Sequence, residues 1–338
     1  MFPYHPPQQL QQHAYTSRSA QSHDLRTALA GQIARALSVF CVDEVIVFSD
    51  GDTKQQQSQQ HSPGQRSSSQ HEPDRAPYTG TTDPVHFLVH LLSYLETPPH
   101  LRRHLFPLHP NLRTAGTLPS LDLPHHLRAD EWCPYREGVS LPQSSPAKAA
   151  DATLVDAGIR VPVTVEFAIP ALMRVTLRFA DATGAAARDP AMREIRAEAV
   201  DPAAPRKEAG YYWGYNVRRA DCLSAVYEEC PFDGGYDVTI GTSERGRPLH
   251  DAAADGGIAP FRHLLLVLGG VAGLEAALAH DAKLTALGVV SVADLFDFWV
   301  NILPGQGSRT IRTEEALWIA LMGIRGVVAQ NAVGEGGP

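Results

Sequence analysis

The sequence predicts an α/β fold interrupted by a smaller β-rich insertion, and three features of its texture carry that prediction. Helix, strand and helix periodicities alternate through the first hundred residues, short β-patterned runs fill the middle, and strand-then-helix texture returns in the last third. From Asp24 to Phe40, residues Leu25, Ala28, Leu29, Ile33, Ala36, Leu37 and Phe40 recur at helical spacing. The apolar run Glu44-Val-Ile-Val-Phe48 then reads as a buried strand. Asp83-Pro84 predicts a helix start, the acid as N-cap and the proline tolerated in the first turn. Phe87, Leu88, Leu91, Leu92 and Leu95 form its apolar face, and Pro98-Pro99 stops it.

Within residues 138–208, Val161–Phe167, Met173–Phe179 and Ile195–Val200 are separated by Pro-, Gly- and Ala-rich turns, the texture of a small barrel or sandwich. Strands at Tyr236–Ile240 and His263–Leu268 follow, then a helix from about Gly273, an apolar run Leu295–Leu303 and a helix from Glu314. An insertion at 136–211 within a domain made of 23–135 plus 212–332 accounts for this order better than two tandem domains. Residues 1–22 and 54–82, rich in Gln, Ser, Pro and His and without apolar period, are expected to be a disordered tail and a disordered surface loop.

Composition narrows the function classes. The 338 residues carry 29 Lys+Arg against 37 Asp+Glu, a formal net charge of −8, with 43% hydrophobic residues. That is enough for a real core and too acidic for wholesale coating of nucleic acid. No stretch has the length and apolarity of a membrane span, and the N-terminus lacks a signal peptide's apolar run. Cys41, Cys133, Cys222 and Cys230 form no CxxC pair and read as reduced thiols. The 15 histidines show no HExxH or HxH pattern, so no metal is expected.

Two local features favour RNA. His100–Arg128 holds Arg102, Arg103, Arg113 and Arg128 against Asp122 alone, a basic stretch in an acidic chain. Tyr211, Tyr212, Trp213, Tyr215, Arg218 and Arg219 cluster at the exit from the insertion, where aromatic faces can stack on bases. Each has a plain alternative: a solvated surface loop for the first, packed core aromatics for the second.

The chemistry concentrates in three glycine-bearing loops, each placed after a predicted strand: Gly241-Thr-Ser-Glu-Arg-Gly246, Gly269-Gly270-Val-Ala-Gly273 and Pro304-Gly-Gln-Gly-Ser-Arg-Thr-Ile-Arg-Thr-Glu-Glu315. Open parallel sheets bind ligands beyond the carboxyl ends of their strands, and glycine lets backbone approach the ligand closely. Any one loop also fits an ordinary tight turn; three in succession suit one flat polar ligand. The second reads GGxxG and not GxGxxG, and no Walker sequence occurs, so dinucleotide binding and nucleotide hydrolysis lose their main support. In the third, Thr313 is expected to cap a helix with Glu314 and Glu315 in its first turn and Leu317, Ala320, Leu321 and Ile324 buried. Capping leaves Arg309 and Arg312 unexplained.

These loops closely resemble the eukaryotic and archaeal branch of the SPOUT methyltransferase superfamily. The nearest likeness is the RNA methyltransferase group whose human member is a spindle- and centromere-associated SPOUT-domain protein. The resemblance extends through Ala30-Gly-Gln-Ile-Ala-Arg35, Phe40-Cys-Val-Asp-Glu44, Pro124-His-His-Leu-Arg128, Tyr135-Arg-Glu-Gly138 and Tyr212-Trp-Gly-Tyr-Asn-Val-Arg218. It implies a deep trefoil knot, an inserted OB-like barrel and a homodimer. It also implies an S-adenosylmethionine site contacted by Arg245, Gly269, Gly270, Asn301, Gln306, Gly307, Ser308, Thr310 and Thr313. Arg245 and Arg35 are the candidate catalytic residues; Arg102, Arg103, Arg113, Arg128, Tyr212, Trp213 and Arg218 are the candidate RNA-binding ones. A solvated helix face is the plain alternative for Arg35.

The resemblance thus points to a methyltransferase acting on a base of ribosomal RNA during ribosome biogenesis, with uridine N3 as acceptor by analogy. The nucleus or nucleolus is the expected location and the cytoplasm the alternative. A catalytically silent assembly factor that binds RNA is the second reading, and a protein arginine methyltransferase the third.

Overall fold

The computed structural model describes residues 9–13, 22–51, 77–142, 152–254, 258–270 and 272–334. In chain order the elements are β1 (Gln9–His13), α1 (His23–Val39), β2 (Glu44–Phe48), α2 (Pro84–Glu96), α3 (Pro99–Leu105), β3 (Tyr135–Ser140), β4 (Thr153–Asp156), β5 (Val163–Val165) and β6 (Arg174–Arg178). There follow α4 (Ala185–Arg188), β7 (Ile195–Arg196), β8 (Glu198–Val200), α5 (Ala204–Ala209), β9 (Asn216–Ala220) and α6 (Leu223–Glu228). The C-terminal third holds β10 (Val238–Pro248), α7 (Leu249–Ala254), β11 (His263–Val267), α8 (Gly273–His280), α9 (Ala282–Ala286), β12 (Phe298–Asn301) and α10 (Thr313–Gly334).

The described residues divide into two compact units. One comprises Tyr94–Leu108 and Ser120–Gly214, so it takes in part of the basic stretch as well as the expected insertion at 136–211. The other comprises the described residues before Tyr94, residues 109–119 and everything from Tyr215 onward.

The larger unit is built on a six-stranded sheet in the order β12-β10-β11-β1-β2-β9, with every pairing parallel. Of its strands, β2 and β11 read as near-continuous apolar runs because helices cover a parallel sheet on both faces; all five residues of β2 are buried. Ser22 caps α1 by accepting from Leu25 N at 3.2 Å, and Ile33, Ala36 and Leu37 are buried as their spacing predicts. Leu25, expected on that face, is instead 56% exposed in the first turn. Cys41 adopts a left-handed φ of 57°, which turns the chain from α1 directly into β2. Asp83 caps α2 as expected, its Oδ1 accepting from His86 N at 2.9 Å.

Three corrections concern this unit. The expected tail 1–22 contains β1, a strand paired with both β11 and β2; sheet pairing overrides the weak strand propensity of QLQQH. Within the expected loop 54–82, residues 77–82 are ordered, with Arg26 donating to Tyr78 Oη and Thr79 N donating to Asn111 Oδ1. The rest of both stretches lies outside the described residues. β9 was not expected, because an edge strand paired only with β2 keeps polar residues such as Asn216 and Arg219 exposed.

The smaller unit holds a second six-stranded sheet, β7-β5-β4-β3-β6-β8, antiparallel except for the β5–β7 pair. Its two edge strands, β7 and β8, are separated in sequence by Ala197 alone, so the sheet is nearly closed on itself. Val155, Val163, Val165, Leu177, Phe179 and Ile195 fill its interior. The central strand β3 escaped the sequence reading because it buries Arg136 and Glu137. Both charges are matched. Arg136 donates to the carbonyls of Ala157, Glu131 and Arg128, and Glu137 accepts from Arg174, Thr176 and Trp213.

Candidate functional site

In the larger unit, the three glycine-bearing segments belong to the adjacent strands β10, β11 and β12, the second and third following the carboxyl ends of β11 and β12. The first is not a turn after a strand. It is a bulge inside β10: Thr242 and Arg247 both face Val300 of β12, so Ser243–Gly246 loop out between them. Gly246 permits the return, since a Cβ there would lie 2.3 Å from the carbonyl carbon of Val300. Gly269 is constrained in the same way by the start of α8, whose backbone a Cβ would approach to 2.9 Å.

Side chains tie the segments together. Asn301 Nδ2 donates to the Glu244 carbonyl at 2.9 Å, linking the third to the first. The Thr313 hydroxyl lies 3.5 Å from Gly269 O, linking the third to the second. Arg245, on the bulge, forms an ion pair with Glu275 in the first turn of α8. Thr313 is therefore the first helical residue and not the cap. Arg312 takes the cap position: its carbonyl accepts from Ala316 N and its N–H donates to Glu315 Oε2.

Arg245 and Glu275 face a cavity of about 510 Å3, walled by Leu278, Val289, Val290 and Trp299 among others. Trp299 stacks on Phe296, and both rings pack over Gly241, where a Cβ would lie 2.5 Å from Phe296. Gln306 is half-buried with its amide donating to Ser308 O, while Gly307, Ser308 and Thr310 are exposed. Arg309 and Arg312 are exposed and make no ion pair among the described residues. Glu275 and Trp299 were missed at the sequence level. An acid in a helical first turn reads as dipole stabilisation, and an aromatic in an apolar run reads as core.

Arg35 stands half-buried on α1, a helix that packs against α10 with Phe40 edge-on to Trp318. Arg218 is committed to the fold: it pairs with Glu44 and donates to Tyr236 Oη and Val226 O. Burial pushes the Glu44 carboxyl up, and Arg218 offsets that only in part. Arg113 is exposed in the loop 109–119.

The remaining candidate RNA contacts lie in the smaller unit. Arg102 caps the end of α2, donating to Leu95 O and Thr97 O and stacking on Tyr94. Tyr212 and Trp213 are buried, and Trp213 Nε1 donates to Glu137, so both serve the core in place of an open stacking surface. Arg103 is exposed but paired with Asp156 at 2.6 Å, and Arg128 is exposed. Sequence periodicity could not separate these roles, because burial depends on contacts remote in the chain.

Among the described residues, no helix is long and apolar enough to cross a membrane and no His/Cys/Asp/Glu cluster could hold a metal ion. All four cysteines are free thiols.

The chain is similar to three proteins named 28S rRNA (uridine-N(3))-methyltransferase. The mouse protein is 42% identical over 309 residues, covering 91% of this chain and 73% of the relative. The human protein is 40% identical over 309 residues, covering 91% and 74%. The Drosophila melanogaster protein is 42% identical over 311 residues, covering 91% and 59%. A family model described as "Putative RNA methyltransferase" matches residues 15–324. With that match spanning nearly the whole chain, the protein belongs to this RNA methyltransferase family.

Proposed function

We propose that the protein transfers a methyl group from S-adenosylmethionine to N3 of a uridine in ribosomal RNA. The observation that carries this reading is the meeting of the β10 bulge with the segments that follow the adjacent strands β11 and β12, tied by Asn301 to Glu244, Thr313 to Gly269 and Arg245 to Glu275. The relatives named for uridine N3 of 28S rRNA supply the acceptor.

The residues present fit such a methyl donor. Around Gly307 a Cβ would meet nothing within 4 Å, so a ligand can approach the backbone there. Glu314, beside Thr313, is buried with its Oε2 unpartnered among the described residues, leaving an acceptor to be satisfied. Gly269, Gly270, Asn301, Gln306, Ser308, Thr310 and Thr313 offer neutral donors and acceptors for adenine and ribose.

S-adenosylmethionine, when bound, supplies a methyl group activated by a positively charged sulfur. The protein's part is to align acceptor and methyl and to manage the acceptor's proton. Arg245 donates to the oxygen on which charge develops, and Arg35 is assigned to the acceptor side. Arg113 and Arg128 are exposed and suit phosphate contacts, and Arg103, also exposed, would have to leave Asp156 to make one. The finer fold assignments belong to the same reading. The knot is supported by the parallel crossover from β11 past β10 to β12, with α10 returning to α1; the OB-like barrel is supported by the near-closure of the second sheet. We likewise propose a homodimer and residence in the nucleus or nucleolus, on the strength of that family likeness.

Calorimetry with S-adenosylmethionine, alongside mass spectrometry of rRNA nucleosides from cells lacking the protein, tests the reading. Donor binding and loss of N3-methyluridine are expected. No binding together with an unchanged nucleoside profile would leave an RNA-handling assembly factor.

A further inference from the structure

Resting on that reading, we propose that Glu275 takes the imide proton from the acceptor uracil, with Arg245 bound to the adjacent carbonyl oxygen. N3 of uracil carries a hydrogen between two carbonyls, and its lone pair is free to attack only once that hydrogen leaves. The glycine-bearing segments hold little that could accept it. Asn301, Gln306, Ser308, Thr310 and Thr313 are neutral, and Arg309 and Arg312 are cations. Other nearby carboxylates do not line the cavity: Asp297 binds Thr239 N and Oγ1, Glu315 binds Arg312 N, Glu314 is buried, and Glu244 of the first segment is exposed outside it.

Glu275 differs from all of these. It and Arg245 are the two ionisable side chains lining the cavity of about 510 Å3; the other lining residues are apolar or carry hydroxyls, apart from the indole of Trp299. That composition suits a flat heterocycle with one polar edge: Trp299 offers a ring face, and Val290, 92% exposed, stands at the rim. The ion pair sets a carboxylate oxygen beside a guanidinium N–H, the complement of an imide N–H beside a carbonyl. Gly273, at φ +77°, leaves the carboxylate its space, since a Cβ there would sit 2.5 Å from Glu275 Oε2.

The step balances as follows. The N3–H bond breaks and its electron pair stays on the ring, spreading onto the oxygen facing Arg245, while the proton passes to a Glu275 oxygen. The N3 lone pair then forms the bond to the methyl carbon of the sulfonium donor. The carbon–sulfur pair goes to sulfur, leaving a neutral thioether, and Glu275 returns its proton to water. One proton is released per methyl transferred.

Glu275→Gln preserves shape and removes the base, and Glu275→Asp keeps a carboxylate. The expected result for Glu275→Gln is S-adenosylmethionine affinity within about threefold of wild type, with methyl transfer down by about 100-fold or more, the usual worth of a general base. Its residual rate should climb with pH as the uracil ionises unaided, and Glu275→Asp should restore the shallow wild-type profile in part. A second readout needs no donor: fluorescence anisotropy with decauridylate, decacytidylate and an N3-methylated decauridylate. Wild type should prefer decauridylate by about tenfold, the worth of one charge-assisted hydrogen bond, and Glu275→Gln should bind all three alike. An unchanged rate and pH profile in Glu275→Gln overturns the assignment. So does loss of donor affinity in that variant, which would place Glu275 in the donor site. If wild type itself binds no donor, the methyltransferase reading fails first.

Discussion

Asn301 joins two loops through one amide: its Nδ2 donates to Glu244 O at 2.9 Å while its Oδ1 accepts from Leu303 N at 3.0 Å. The bulge in β10 and the loop after β12 are thus held together through this one side chain. Asn301→Ala should cost about 1 kcal/mol of stability, the net worth of a hydrogen bond, yet lower S-adenosylmethionine affinity about tenfold as both loops relax. Thermal unfolding and calorimetry on the same preparation separate the two effects.

Two glycines in these segments should behave oppositely. Gly246→Ala forces a Cβ to 2.3 Å from the Val300 backbone and should destabilise by about 1–3 kcal/mol, as overpacking does. At Gly307, where a Cβ meets nothing within 4 Å, alanine should shift stability by under about 0.5 kcal/mol. Any affinity lost in Gly307→Ala would then report the ligand's approach to the backbone.

The pH dependence of stability follows from crowded imidazoles. Burial, then the charges of His109 and His86, holds His90 at about 4; its ring lies 4.7 Å from that of His109 and 5.6 Å from that of His86. Burial, then His125, holds His126 at about 3. A histidine whose folded pKa is depressed binds protons preferentially when unfolded, so stability is full above about 6.5 and is lost as pH falls towards the folded values. Burial raises the Glu96 carboxyl, but the Arg174 charge and the His125 hydrogen bond outweigh it and hold it at about 2. Its contribution is full above about 4.5 and is lost towards pH 2. Melting temperatures should be level from pH 8 to about 6.5 and then fall, with a shallower fall in His90→Asn.

Arg174 bridges Glu96 and Glu137, each at 2.6 Å, in the nearly closed sheet. Arg174→Met removes the cation from between two buried carboxylates, leaving Glu96 with His125 and Glu137 with Thr176 and Trp213, and should cost about 3–5 kcal/mol by denaturant unfolding.

Arg309 and Arg312 make no ion pair among the described residues and flank the proposed donor site. If they meet RNA phosphates, replacing either with alanine should lower the salt slope of RNA binding by about one and leave donor calorimetry unchanged. Anisotropy across a potassium chloride series measures this.

Much of the architecture was legible in the chain. The apolar runs of β2 and β11, the spacing of Ile33, Ala36 and Leu37, and the Asp83 cap each express a local rule. The segments that form the site were legible as well, because glycine-rich stretches after strands stand out against the core pattern. β1, β3 and β9 were not. QLQQH becomes a strand only because β11 and β2 pair with it, and β3 looks polar because partners far along the chain neutralise Arg136 and Glu137.

Sequence alone determined the α/β class, the β-patterned runs of the middle and the three segments near the site, since these depend on periodicity and backbone freedom within short windows. Tertiary structure decided which charges are available. It turned Arg102, Arg218, Tyr212 and Trp213 inward as parts of the fold, left Arg309 and Arg312 outward, and set Glu275 against Arg245 at the cavity. Whether a charge or an aromatic ring is available depends on its burial and its partners. Those arise from residues distant in sequence, which no local pattern encodes.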